Sequence, residues 1–270
     1  MSYIQAIIIA IVEGITEFLP ISSTAHMKFT NPLIGVSNTP FVDMFEVIIQ
    51  LAAILSVVVL YWKKFVDFKK ISFYIKLIIA VIPALIVGAL LKKHIDAALE
   101  NLYFIASVMI GGGIVLIFID NFFKSPVIVE EENISYKKSF IIGWFQTLSI
   151  LLPGLSRSAA TIIGGMSQKL TRSLAAEFSF LLAVPTMFAA SVKSFYDVYK
   201  DHPEVLSKEN MGTLGVGSIV SFIVALFAVK FLIGYLQKNG FKVFGYYRVV
   251  VGLIMLVLLF LGVNLNIAGS

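Results

Sequence analysis

Apolar residues run along this chain in blocks of about 20, the length a helix needs to cross the hydrocarbon layer of a membrane. Six blocks are uninterrupted, at roughly 42–62, 72–92, 101–123, 173–198, 212–236 and 246–267. Each predicts a membrane-spanning helix. Two further apolar segments, 1–33 and 140–170, are broken at their centres, the first by LPISST and the second by LPGLSRS. Proline removes a backbone donor, and glycine loosens a helix. Within lipid, backbone groups freed in this way need partners in protein or in a water-filled cavity. Each half of a broken segment is too short to span alone. The breaks therefore predict two re-entrant hairpins (helix, loop at depth, helix back out), with a kinked through-helix as the alternative.

The order is hairpin plus three spans, then hairpin plus three spans. This predicts one membrane domain over 1–270, with repeat 1 at about 1–123, a linker at 124–139 and repeat 2 at about 140–270. A shift of 133 positions lays Leu19-Pro20 on Leu152-Pro153, Ser23 on Ser156, Thr24 on Arg157, Glu13 on Gln146 and Phe45 on Phe178. A hairpin returns to the side it entered, and three spans reverse the side. The second unit then starts opposite the first. The fold class this implies is an all-α integral membrane protein with an inverted-topology repeat, six transmembrane helices plus two re-entrant hairpins. In such plans the site lies near the midplane, where the breaks meet.

Composition agrees with lipid as the solvent. Of 270 residues, 59% are apolar and 14% charged, against about a quarter charged in soluble domains. The net charge of +5 does not indicate nucleic acid, because no aromatic-basic stripe accompanies it. Basic residues instead collect in loops on the cytoplasmic side. One side would carry Lys63, Lys64, Lys69, Lys70, Lys124, Lys137, Lys138, Lys169, Arg172, Lys238, Lys242 and Arg248, and the other Lys92, Lys93, Lys200 and Lys208. The first side is then cytoplasmic and both termini lie outside. The first residues lack the basic start of a cleavable signal peptide. Cysteine is absent, so thiolate chemistry is excluded. SPVIVEEENIS (125–135) is acidic and polar and predicts a solvated loop between the repeats.

The breaks carry the chemistry. Glu13 and Glu17 are four apart and share one helix face. Two carboxylates at low dielectric need neutralising, by a divalent cation such as Mg²⁺ or Ca²⁺ or by a shared proton. Ser22, Ser23 and Thr24 offer hydroxyls, and His26 can carry a proton near neutral pH. Either a serine nucleophile with histidine as base or a phosphohistidine fits this group, while plain helix capping accounts for the hydroxyls alone. In the second break Arg157 is an intramembrane cation that requires an anion, and guanidinium matches phosphate oxygens two at a time. Ser156, Ser158 and Thr161 add donors. A structural ion pair from Arg157 to Glu17 or Glu13 is the bland reading. Together the halves fit metal-assisted phosphoryl transfer on a lipid phosphate. Elsewhere, Glu46 and Gln50 lie one helical turn apart within a span, Glu177 could hold a hairpin in place, and the glycines at 111–113 and 164–165 suit close helix packing.

EGITEFLPISSTAH (13–26) and PGLSRSAAT (153–161) resemble the two signature segments of the undecaprenyl pyrophosphate phosphatase family, the bacitracin-resistance proteins. FEVIIQLAAILSVVV (45–59), GGMSQKLTRSLAAEFSFLLAVP (164–185) and KNGFKVFGYYR (238–248) are similar to it too. The resemblance implies an undecaprenyl-diphosphate phosphatase that converts undecaprenyl pyrophosphate to undecaprenyl phosphate and phosphate. Such an enzyme recycles the cell-wall lipid carrier. It would sit in the bacterial cytoplasmic membrane with its site opening outward, use a divalent cation and often form a homodimer. By motif, Glu13 and Glu17 take the paired-glutamate and metal role, Ser23 and His26 the serine and histidine roles, and Arg157, with Ser156 and Thr161, the pyrophosphate-binding role. Ala25 and Ala159 stand where the family has glycine, which predicts a narrower site and slower turnover. A polyprenyl-phosphate flippase or an ion-coupled transporter is the alternative, because inverted repeats are a transporter plan.

Overall fold

The computed structural model describes residues 1–67, 71–123, 125–263 and 265. The expectations for Lys69, Lys70, Lys124 and the last residues of the sixth span lie outside them. Among the described residues twelve α-helices form in chain order: α1 (Tyr3–Thr16), α2 (Ser23–Leu33), α3 (Pro40–Leu60), α4 (Trp62–Val66), α5 (Ile71–Leu90), α6 (Lys92–Glu100), α7 (Leu102–Phe122), α8 (Tyr136–Leu151), α9 (Arg157–Ser167), α10 (Arg172–Asp201), α11 (Lys208–Lys238) and α12 (Lys242–Phe260). Among the described residues six are long and apolar enough to cross a membrane, namely α3, α5, α7, α10, α11 and α12. Their outward faces carry exposed large apolar side chains, including Ile78, Ile86, Phe118, Phe227, Phe231 and Ile254. The chain is an all-α integral membrane protein.

Polar caps set where helices start. Ser2 and Gln5 form a reciprocal capping box on α1. Thr39 caps α3 ahead of Pro40, and Asn101, Ser135, Thr171 and Ser207 cap α7, α8, α10 and α11. Each cap satisfies a backbone N–H that the helix leaves unpaired. The sixth span differs from expectation at its start. It begins at Lys242 rather than near 246, and Arg248, two residues into the expected span, is fully buried. The expected cytoplasmic position of Arg248 is thereby corrected.

Packing is reciprocal between the halves. The first broken helix, α1, packs on α11, and its counterpart α8 packs on α5. The long helices α3 and α10 pack on each other, as do α7 and α12. The first helix of each break thus packs on a span of the opposite half, whereas α9 packs on α10 of its own half. Phe18 from the first break reaches the main core and meets Phe180 of α10 edge-on, with centroids 5.2 Å apart.

The linker is exposed over most of 125–135, as its composition predicts, but it is anchored at a few points. Ile128 and Ile134 are buried in the main core, and Ile128 bridges to Leu170. Lys64 donates to Glu131 at 2.5 Å and to Glu177. Burial pushes the Lys64 ammonium pKa down, but its hydrogen bonds to these two carboxylates outweigh that and raise it. Buried Lys76 donates to the carbonyls of Glu131 and Glu132 at 2.9 and 3.1 Å. These two lysines need oxygen partners, and the acidic stretch supplies them.

Candidate active site

Each break ends at a serine with a positive φ. Ser22 (φ 72°) caps α2 and accepts from the Ala25 N–H; Ser156 (φ 76°) caps α9 and accepts from the Ala159 N–H. A non-glycine residue in this region is strained and calls for a compensating cause. Here the cap geometry and enclosure supply it. The two caps correspond, so Ser22 matches Ser156 and Ser23 matches Arg157. The register read from sequence, with Ser23 on Ser156, is corrected by one residue. Ile21 alone separates Pro20 from its cap, whereas Gly154 and Leu155 separate Pro153 from its cap. Gly154 has φ 97°, and a Cβ there would lie 2.4 Å from the Ile105 carbonyl, so the added residue has to be glycine.

Ser23 and Arg157, each the first residue of its helix, line one cavity of about 270 Å³. Glu17, Ser22, Thr24 and Ser156 line it as well, together with Gln50, Gln146 and Thr186 from the surrounding helices. Ile95 and Leu99 of α6 form an apolar part of its wall. Glu17 holds the centre. Its Oε1 accepts from Arg157 Nη2 at 3.1 Å, and its Oε2 accepts from the Ser23 hydroxyl at 2.6 Å. Arg157 Nη1 donates to the Ser179 carbonyl at 3.1 Å, while its Nε has no partner.

Glu13 lies one turn before Glu17 and is fully buried, with neither carboxylate oxygen partnered. A buried carboxylate left in this state needs a proton or a cation. Among the described residues no cluster of three or more acidic, histidine or cysteine side chains could hold a metal ion. Two carboxylates completed by substrate oxygens and water do suit Mg²⁺. As a donor set the pair is compatible with such a cation, with Glu17 in the cavity lining and Glu13 outside it.

The remaining predicted residues divide into two sets. Ser158 is buried against Leu19, donating to its carbonyl at 3.1 Å, and lies 2.9 Å from the Ser156 hydroxyl. Thr161 donates to the Arg157 carbonyl at 2.8 Å and pairs with the Ser179 hydroxyl at 2.6 Å. Both brace the second break from behind. His26 also lies outside the cavity lining. Its Nδ1 is 2.7 Å from the Ser22 carbonyl and its Nε2 is 2.9 Å from the Tyr247 hydroxyl, with the two rings stacked. Nothing joins His26 to Ser23. Ala25 and Ala159 sit in the first helical turns, not at positive φ, so their methyl groups cause no backbone strain. Glu46 is buried and accepts from Asn31 Nδ2 at 2.6 Å.

Sequence reasoning missed Tyr247, Arg248, Asn31 and Ser179 as neighbours of the site. The YYR at 246–248 was legible only as the end of a segment similar to the family, with Arg248 counted among basic residues of one side.

A family model described as bacitracin resistance protein BacA matches residues 6–254. Curated relatives match nearly end to end. The undecaprenyl-diphosphatase of Flavobacterium psychrophilum is 52% identical over 260 residues, covering 96% of this chain and 97% of the relative. That of Porphyromonas gingivalis strain W83 is 48% identical over 283 residues, covering 99% and 100%. That of Bdellovibrio bacteriovorus is 43% identical over 268 residues, covering 98% and 99%.

Proposed function

The chain belongs to the bacitracin resistance protein BacA family, and on that premise we propose how its cavity hydrolyses undecaprenyl pyrophosphate to undecaprenyl phosphate and inorganic phosphate. The observation that carries the reading is Glu17 bridging Ser23 and Arg157. A carboxylate 2.6 Å from a hydroxyl is a base in place for a serine nucleophile. A guanidinium held by that same carboxylate, with a spare Nε, is ready to exchange it for a phosphate.

Arg157 binds the terminal phosphate oxygens, assisted by the N–H groups at the start of α9. A divalent cation held by Glu13 and Glu17 would supply further neutralisation of the pyrophosphate charge. The Ser23 Oγ forms a bond to the terminal phosphorus while its proton passes to Glu17 Oε2. The bond from that phosphorus to the bridging oxygen breaks, and undecaprenyl phosphate leaves with the electron pair and takes the proton back from Glu17 on that oxygen. The restored Glu17 carboxylate deprotonates a water that attacks the phosphoserine; the bond from phosphorus to Ser23 Oγ breaks, Oγ regains a proton from Glu17, and phosphate is released. His26, with both ring nitrogens engaged, orients the first break. This geometry favours the serine over a phosphohistidine. A flippase or ion-coupled carrier would not need a hydroxyl paired to a carboxylate.

The test is to quench the purified enzyme during turnover and map phosphorylated residues by mass spectrometry. The reading expects phosphate on Ser23 and no release from Ser23→Ala; a label on His26, or full activity without the Ser23 hydroxyl, would overturn it.

The same reading places the two halves as inverted repeats with re-entrant breaks. It puts both termini and the cavity mouth on the outer side of the bacterial cytoplasmic membrane, and takes a homodimer as the assembly. The basic side carrying Lys63, Lys137 and Lys242 supports that orientation. The natural chain has no cysteine, so single cysteines at Lys200 and Lys242 report sidedness cleanly. An impermeant maleimide added to whole cells should label the first and spare the second. Chemical cross-linking in native membranes tests the dimer.

A further inference from the structure

Arg248 of α12 is fully buried, and among the described residues it forms no ion pair. Its guanidinium is taken up by four backbone carbonyls. Nε donates to Met109 at 3.1 Å, Nη1 to Pro20 at 3.1 Å and to Leu155 at 2.6 Å, and Nη2 to Gly154 at 2.8 Å. Pro20 precedes the first cap by two residues, and Gly154 and Leu155 directly precede the second. One planar fork thus ties the tip of each break to the other and both to α7. The glycines of α7 make the room. A Cβ on Gly112 would lie 2.3 Å from Arg248 Nη2, and one on Gly113 would lie 2.9 Å from Arg248 Cβ. The neighbouring Tyr247 reaches His26 of α2.

Burying a full charge against neutral partners is costly. If these carbonyls served packing alone, apolar side chains could fill the space without that cost. A rigid fork with five donors, by contrast, can hold several carbonyls from separate segments at fixed angles. From this geometry we infer that Arg248 is a positioning residue: it fixes the spacing of the two break tips, so that Ser23 and Arg157 face each other across the cavity. This rests on the hydrolytic reading above. Misplacement of reacting groups by about 1 Å costs on the order of 100-fold in rate, which sets the scale of the effect.

The experiment is steady-state phosphate release from a lipid pyrophosphate by Arg248→Met, Arg248→Lys and Gly112→Ala, with melting temperature and monodispersity in detergent as controls. In Arg248→Met, kcat is expected to fall about 100-fold while KM stays within about threefold, since the lost interaction acts at the reacting atoms. Arg248→Lys should recover part of kcat, because an ammonium keeps the charge but not the fork. Gly112→Ala keeps Arg248 and displaces its guanidinium, and should lower kcat in the same selective way. If Arg248→Met does not accumulate as folded protein, the other two variants decide. A lowered melting temperature with kcat unchanged, or a loss confined to KM, overturns the inference. Should Ser23→Ala stay active while these variants lose kcat, the serine mechanism fails and the positioning role stands.

Discussion

The two breaks adopt one backbone solution and use it for opposite chemistry. In both, a helix stops, a proline follows, and a serine at positive φ starts the next helix by accepting from the third N–H beyond it. The residue that follows the cap is Ser23 in one and Arg157 in the other, and Glu17 joins them. The first break contributes acid and hydroxyl; the second contributes a cation and donors. Unpaired buried atoms divide in the same way. Among the described residues, and apart from the Ser56 hydroxyl, which can do either, Glu13 and Asn31 Oδ1 are acceptors from the first half, while Gln146 Nε2 and Arg157 Nε are donors from the second. A common scaffold has been divided into a side that lacks positive charge and a side that lacks negative charge.

The comparison can be broken most sharply at Glu17. Glu17→Gln removes the base and the bridge together, and phosphate release should drop about 10²–10⁴-fold; a smaller loss would mean that the two breaks do not act through this carboxylate. Arg157→Lys keeps the charge and loses the paired geometry, so a fall of roughly 10²-fold in kcat/KM is expected. Gly154→Ala attacks the one residue by which the second break exceeds the first. A methyl group at positive φ and in collision with Ile105 should cost about 1–3 kcal/mol in unfolding free energy, seen as a lowered melting temperature in detergent. Ser22→Ala and Ser156→Ala each remove one cap and should cost about 1 kcal/mol apiece, with similar melting shifts if the two sites are equivalent. Ala25→Gly and Ala159→Gly should be the mildest. They loosen first turns that already accept a methyl, at about 0.5–1 kcal/mol and with turnover unchanged. Faster turnover in either would restore the expectation that these methyls narrow the site.

The six spans were legible because apolar length is a strong signal, and both breaks because proline and serine interrupt it. The assembly of Glu17, Ser23 and Arg157 followed from complementary charge in two places where lipid tolerates none. The register between the breaks was not legible at the caps, since an extra residue between Pro153 and its serine leaves no mark in a comparison by shift. Arg248 escaped for a different reason. It falls close to Lys238 and Lys242 and was grouped with their basic side, although position 248 already lay within the expected sixth span. Backbone carbonyls, which are its partners, have no sequence signature. The linker's exposure was legible from its composition, but its anchoring was not: the Glu131 carboxylate meets Lys64, and Lys76 reaches the Glu131 and Glu132 carbonyls, from distant helices.

That docked linker bears on how the molecule tolerates being cut. With Ile128 paired to Leu170 and Glu131 gripped by two lysines, the covalent connection at 125–127 contributes little to holding the halves in place. Two polypeptides, 1–126 and 127–270, produced together in one cell should find each other and rebuild a working enzyme, as a gene fission would require.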